Sequence, residues 1–428
     1  MTQNWDVIIV GGGLAGYVAA NYLGKNNLSV LLLDKGKTTG GRAKTNKINQ
    51  QYFNIGPHAL YKKGKAHSIL EELDITLHGK SPKLDGILLE NKTEFAAPFS
   101  PLGLFSTNLL TWKERIEWGT VLWKLMNTNP DKLANLTFHQ WVKEVTNSKK
   151  IESLLYTLGR LATYCHAPEV MSAKVTVSHL KNAIGGVRYI DGGWQTIIDQ
   201  LHNQAILSGV QVQPSTLVKQ IESGERKPFK LVLSNDEEIV GKYVIYTGGP
   251  REWNEMLLDE GLLEHNGFLD EILPIRGATL DVALTKLPNP KHLFAMGITD
   301  PLYYSVHSTY AQLSDDPTST VLHVLKYHHP DDHVDGSSEK IKLEQFLSAI
   351  QPGWQQYVIT QRFLPNITVN QRLPQVGDES KLQRFKTQIA GLYFAGDWAS
   401  PNYVLAEGAV SSGKQAAEDI IIKQKERR

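Results

Sequence analysis

Val7-Ile8-Ile9-Val10-Gly11-Gly12-Gly13-Leu14-Ala15-Gly16 stands near the start of the sequence. Its first four residues are β-branched and unbroken by polar alternation, the pattern of a strand buried on both faces. Glycines follow at 11, 13 and 16, the spacing of G-x-G-x-x-G. The pattern predicts a helix through Tyr17–Leu23 and a second apolar strand, Ser29–Leu33, ending in Asp34. Trp5 to Asp34 therefore reads as one βαβ unit that binds a dinucleotide. Gly11 permits the tight turn, Gly13 lets backbone approach a pyrophosphate, and Gly16 lets the helix pack on the strand. Gly12, Leu14 and Ala15 complete the loop, where free N–H groups and the positive helix end face phosphate. Asp34, 21 residues after Gly13, can accept hydrogen bonds from the ribose hydroxyls and would repel a 2′-phosphate. Lys35 beside it joins the candidate set. These residues alone leave NAD and FAD both open, with a ligand-free glycine turn as the alternative.

Further along come Thr39-Gly40-Gly41-Arg42-Ala43-Lys44-Thr45 and Phe53-Asn54-Ile55-Gly56-Pro57-His58. Paired glycines allow close backbone approach, and Arg42 can fork to phosphate oxygens. With these segments the sequence resembles the flavin-containing amine oxidase and carotenoid desaturase superfamily, which includes amine oxidases, protoporphyrinogen oxidases and phytoene- and squalene-type desaturases. The resemblance implies FAD as cofactor. It places Gly41 and Arg42 by the pyrophosphate and flavin, and Gly56, Pro57 and His58 near the flavin ring. An aspartate often stands where this chain has Phe53. His58 is the one catalytic candidate, set against a plain hydrogen-bonding role.

The resemblance continues through Arg188–Gly193, a helix through Leu201 and Ala205, and short strands at Gly209–Val212 and Leu217–Ile221. Val218 matches the residue whose backbone meets the adenine edge. Tyr243–Pro250 reads as a buried strand ending in a turn. Near the C-terminus, Gly391-Leu392-Tyr393-Phe394-Ala395-Gly396-Asp397 is a strand ending in Gly-Asp, and Glu407–Ala417 opens a small-residue helix. In the family Gly396 and Asp397 meet the ribityl or phosphate region. The backbone at Leu405 and Ala406 meets the flavin's pyrimidine end, where a helix N-terminus favours negative charge. An NAD-only domain needs no such segment.

The remaining stretches read as a substrate half. Asp85–Leu89 and Thr93–Ala97 form a hairpin turned by Asn91-Lys92. Thr111-Trp112-Lys113-Glu114 and Thr137-Phe138-His139-Gln140 are capping boxes. Phe99–Met126 is rich in Leu, Phe and Trp. It resembles the helical region with which desaturases and protoporphyrinogen oxidases face the bilayer, the alternative being a helical subdomain packed on itself. Ala278–Thr285 reads as a strand. Amine oxidases carry a lysine on the matching strand, and an ungapped comparison puts Leu280 there. Leu405 stands in place of the second tyrosine of their aromatic cage. Tyr327–His333 holds three histidines, but Pro330 breaks helical spacing, so a solvated loop is expected rather than a metal site.

The chain has 428 residues, enough for two or three domains. Its 45 basic residues against 44 acidic ones give no field that would draw nucleic acid. The single cysteine, Cys165, excludes an intramolecular disulfide and a cysteine metal site, and fits a core position in a reducing cytosol. No run reaches the ~20 apolar residues of a membrane span. The expected fold is α/β. Residues 1–70, 181–250 and 381–428 form a discontinuous Rossmann-like FAD domain. Residues 71–180 and 251–380 form a mixed-sheet and helical substrate domain, with 99–180 mainly helical. The expected activity is removal of hydride from a hydrophobic small molecule by a cytoplasmic enzyme that touches membrane through 99–126. A flavin amine oxidase and a non-enzymatic carrier of the GDP dissociation inhibitor type are the rivals.

Overall fold

In the computed structural model, residues 4–83, 85–224, 227–254, 256, 267–386 and 389–426 are described. Two seven-stranded sheets organise the α/β fold. In the first, Asn4–Val10 runs parallel to Val30–Leu33 on one side and Glu238–Tyr246 on the other. This central place explains its unbroken apolar run, since Val7, Ile8 and Ile9 are wholly buried. The order across the sheet is Val218–Gly224, Lys227–Leu233, Glu238–Tyr246, Asn4–Val10, Val30–Leu33 and Gln211–Gln213. Leu392–Phe394 adds in parallel beside Glu238–Tyr246. Strands far apart in sequence thus meet, and their C-terminal ends open on one side, where ligands bind in such sheets.

One face of this sheet is covered by the helices Leu14–Lys25, Gln195–Leu207 and Leu405–Lys425. The first and last cross so closely that a Cβ on Gly413 would lie 2.4 Å from the carbonyl oxygen of Ala15. Phe229, Trp253, Phe394 and Trp398 fill the other face.

The second sheet runs Val358–Asn370, Ile275–Leu284, Thr320–Tyr327, Leu302–Ser305, Phe294–Gly297, Ile87–Glu90, Thr93–Ala96. The helix Gly336–Ile350 packs on one face. Helices from residues 101–184 pack beside the other. Both expected capping boxes are complete, with Thr111 and Thr137 each exchanging bonds with the residue three positions on. Cys165 is buried.

Two expectations change. Leu280 faces the core under Gly336–Ile350, not the first sheet. Strand residues alternate in facing, so the row on the opposite side from Leu280 is Gly277, Thr279 and Asp281, none of which itself lines the cavity. Gly277 pairs with Ile367 and Thr279 with Leu325, both cavity residues. Tyr327–His333 is not simply a solvated loop either: Tyr327 and His328 are buried, and His329 Nε2 lies 2.7 Å from Glu169.

Candidate active site

A cavity of about 580 Å³ runs between the sheets, within the size range of cofactor sites. One end is lined by Asp34, Lys35, Thr216 and Val218, the middle by Gly11, Gly13, Gly41, Arg42, Gly396 and Asp397. The other end has Gly56, Pro57, His58, Tyr61, Tyr164, Leu325, Ile367, Leu405 and Ala406. Leu14 and Ala15 also line it.

The three fingerprint glycines do separate work. Gly11 takes φ +111°, and a Cβ there would sit 2.3 Å from Thr247 Oγ1. A Cβ on Gly16 would sit 2.0 Å from the Gly11 carbonyl oxygen, so this glycine serves helix packing and does not line the cavity. A Cβ on Gly13 would meet nothing within 4 Å; it would project into open space where a phosphate could lie. Gly12 also stays off the cavity wall. Its N–H donates to Asp34 Oδ2 at 2.7 Å, while Gly36 N–H donates to Oδ1 at 2.7 Å. These bonds orient the Asp34 carboxylate and leave it acceptor capacity for a sugar. Gly40 N–H donates to the Gly12 carbonyl at 2.7 Å, laying the Gly40-Gly41-Arg42 turn against the loop.

Arg42 lines the cavity together with Asp397, and its side chain is also held from within the protein. Its fork grips Asp397: Nη2 donates to Oδ1 at 2.7 Å and Nη1 contacts Oδ2, with Nη1 also donating to the Val369 carbonyl at 3.2 Å. Asp397 further accepts from Gln371 N–H at 3.0 Å. These two residues, both expected to face the ligand, hold each other and so join the N- and C-terminal segments.

His58 is likewise committed locally. Its Nδ1 is 3.0 Å from the Gly56 carbonyl and its Nε2 3.2 Å from the Arg42 carbonyl, with its ring edge-on to Trp194. Burial pushes its pKa down to about 4. A neutral ring has one N–H and so donates to one of the two carbonyls; both carbonyls favour the charged form, and burial outweighs them.

The C-terminal helix begins in a strained way. Leu405 takes φ +57°, a left-handed conformation uncommon for leucine. Its N–H donates to Asn370 Oδ1 at 2.6 Å, and the preceding Val404 N–H donates to His179 Nε2 at 3.2 Å. These bonds from two other segments fix the helix start, with Leu405 and Ala406 at the cavity. Tyr164 is also left-handed, at φ +59°, where the helix Lys149–Thr163 ends. Motif spacing could not have found Tyr61, Tyr164, Leu325, Ile367, Asn370 or His179, because each reaches the site through tertiary packing.

The open space over Gly13, the oriented Asp34 carboxylate and two helix N-termini at one cavity all fit a dinucleotide. The family described as flavin containing amine oxidoreductase matches residues 14–421. The chain belongs to that family. It is an FAD-dependent oxidoreductase, which excludes the carrier rival. A 15-cis-phytoene desaturase of an Oncidium hybrid cultivar is 22% identical, covering 97% of this chain and 78% of the relative. A probable flavin-containing monoamine oxidase A of Dictyostelium discoideum is 37% identical, over 20% of this chain and 18% of the relative. Among solved structures, an oxidoreductase from Methanosarcina mazei superposes with TM-score 0.79 at 16% identity, covering 97% of this chain and all of that one. A putative protoporphyrinogen oxidase from Exiguobacterium gives 0.74 at 18%, covering 99% and 100%. Putrescine oxidase bound to putrescine gives 0.75 at 16%, with the same coverage.

Proposed function

We propose that the enzyme removes a hydride and a proton from neighbouring carbons of an apolar substrate and leaves a new carbon–carbon double bond, as a desaturase or dehydrogenase, the hydride going to FAD when bound and the proton leaving to bulk water. FAD, when bound, supplies the two-electron acceptor. Asp34, Lys35 and Val218 would hold its adenosine end. Gly11, Gly13, Leu14, Ala15 and Gly41 would hold the pyrophosphate, and Gly396 the ribityl region. Gly56, Pro57, His58, Leu405 and Ala406 would border the flavin ring, where the helix N-terminus favours the negative charge of reduction.

The observation that carries this reading is the wall opposite. Segments 71–180 and 251–380 contribute Tyr164, Glu252, Met256, Leu325, Ile367, Thr368, Val369 and Gln371 to the cavity. The one charged side chain among them, Glu252, pairs with Lys35 at 2.8 Å, at the adenosine end. The hydroxyls of Tyr164 and Tyr61 are committed to backbone: Tyr164 donates to the Pro57 carbonyl at 2.7 Å and Tyr61 to the Ala162 carbonyl at 2.5 Å. Burial pushes both phenols up, so neither serves as a base. The wall's work is to orient substrate and exclude water. The strand row opposite Leu280, Gly277, Thr279 and Asp281, also lacks the lysine of amine oxidases, and its one charge, Asp281, is buried off the cavity and paired with Arg362.

The test is anaerobic mixing of the FAD-loaded enzyme with a panel of partly saturated isoprenoids, monoamines and polyamines. Bleaching of the oxidised flavin by isoprenoids, with amines inert, is the expected result. Bleaching by amines alone reverses the assignment in favour of amine oxidation.

A further inference from the structure

Arg160 lies one helical turn before Tyr164, the ring that walls the apolar end of the cavity. It is 4% exposed. Its Nη2 donates to Thr157 Oγ1 at 3.1 Å and to the carbonyls of Gly297 at 2.9 Å and Ile298 at 2.8 Å. All three acceptors are neutral, and its Nε has no partner. Among the described residues no carboxylate lies within ion-pair distance of it. Glu90 and Asp300 act on it only at longer range, and Glu90 already accepts from the Thr299 N–H and hydroxyl. A buried guanidinium without a counter-charge is costly to keep, and calls for an anion.

Two further unpartnered groups lie within electrostatic reach of it. Tyr327 follows Leu325 on the same face of Thr320–Tyr327, is 1% exposed, and its hydroxyl has no partner. Its ring meets Tyr164 edge-on at 6.0 Å. His166, half-buried, has an unpartnered Nδ1 and feels the charge of Arg160. Burial holds the phenol protonated and, together with Arg160, keeps the imidazole neutral. The cluster thus offers a guanidinium N–H, a phenol O–H and a ring N–H, beside the wall that Tyr164 and Leu325 give the cavity. Donors of this kind around one fixed positive charge match a carboxylate.

We infer that Arg160, Tyr327 and His166 form a subsite for a carboxylate at the far end of the substrate, making that substrate an apolar chain or ring system with an acid group. This rests on the apolar-substrate reading. Tyr164 would be the partition that the acid end passes.

Ligand binding tests it without turnover. FAD-loaded protein is titrated with decanoate and with decanol, following the flavin spectrum and Tm. Decanoate should bind about tenfold or more tighter, the worth of one charge-assisted hydrogen bond. Arg160→Met should erase that preference while decanol binding stays. Where R160M does not fold, Tyr327→Phe removes only the hydroxyl and should shrink the preference by roughly threefold or more. Equal affinity for acid and alcohol overturns the subsite and leaves the apolar reading standing, as does a preference that survives R160M. Acetate raising Tm as much as decanoate, with no change in the flavin spectrum, reduces the cluster to a small-anion site and also overturns it. If neither decanoate nor decanol perturbs the flavin, both readings fall.

Discussion

Gly13 and Gly16 lie within one turn of each other and answer to different constraints. Space above Gly13 is open, while Gly16 is pressed against the Gly11 carbonyl. Gly13→Ala should therefore fold with stability within roughly 0.5 kcal/mol of wild type. Its new methyl occupies the phosphate's place, so FAD affinity should fall by about tenfold or more, roughly 1.4 kcal/mol. Gly16→Ala should do the reverse, losing about 2 kcal/mol of stability through overpacking against backbone. Urea unfolding and FAD titration of both apo-proteins separate the two; a G13A protein that binds FAD normally would remove the phosphate from that spot. The glycine spacing was legible because backbone contact dictates those residues locally. The Arg42–Asp397 grip was not, because no local rule links side chains 355 positions apart. The same holds for His179 and Asn370, which reach the start of the C-terminal helix from distant segments.

At the scale of elements, periodicity and capping were readable, and facing was not always so. A strand is legible at Ala278–Thr285, against Ile275–Leu284 in the structure, but ungapped comparison puts Leu280 on the wrong side, since a one-residue error of alignment inverts a strand. The hairpin at 87–96 was found with its turn, whose two central residues Asn91 and Lys92 take φ +49° and +66°. Such a turn favours glycine second, so Lys92→Gly should gain roughly 0.5–1 kcal/mol in urea unfolding; no gain would mean the turn is not of this type. The helix Trp112–Asn127 buries Trp118, Val121 and Leu125 on one face. Its other face exposes Trp112, Ile116 and Trp123 by 67%, 73% and 66%, next to Leu102 and Phe105 on Pro101–Ser106. On the strength of these exposed rings, this face is proposed to lie on a lipid surface, with the rings in the interface. Trp112→Ser with Trp123→Ser should lower vesicle co-sedimentation by about tenfold or more, on the area those rings would bury, without changing the FAD spectrum. Equal sedimentation of variant and wild type would return this face to solvent.

For the whole molecule, buried titratable groups set the response to pH. Glu407 is 1% exposed, with Oε2 accepting the Ala66 N–H at 3.0 Å and Oε1 unpartnered. Burial pushes its pKa from 4.5 up to about 7. As pH rises through 4.5 the unfolded chain releases this proton while the folded one keeps it, so Glu407 lowers stability progressively until about pH 7 and by a constant amount above. His179 acts in the opposite sense. It is 0% exposed, and burial pushes it from 6.5 down to about 4. The unfolded chain binds this proton first as pH falls, so stability is lost between about 6.5 and about 4. His58 and His166 are also pushed down to about 4 and add to that loss. Glu407→Gln isolates the acid's share, because the amide oxygen can still accept from Ala66. At about 1.4 kcal/mol per pH unit, the variant should gain on wild type steadily between pH 4.5 and 7, reaching a lead of about 3.5 kcal/mol that then stays level. Urea unfolding of both apo-proteins across that range reads the gap directly. A gap that does not widen with pH would mean that Glu407 is already ionised in the folded protein at acid pH, its charge held by the N-terminal turn of the helix Lys65–Glu72 that Ala66 N–H belongs to.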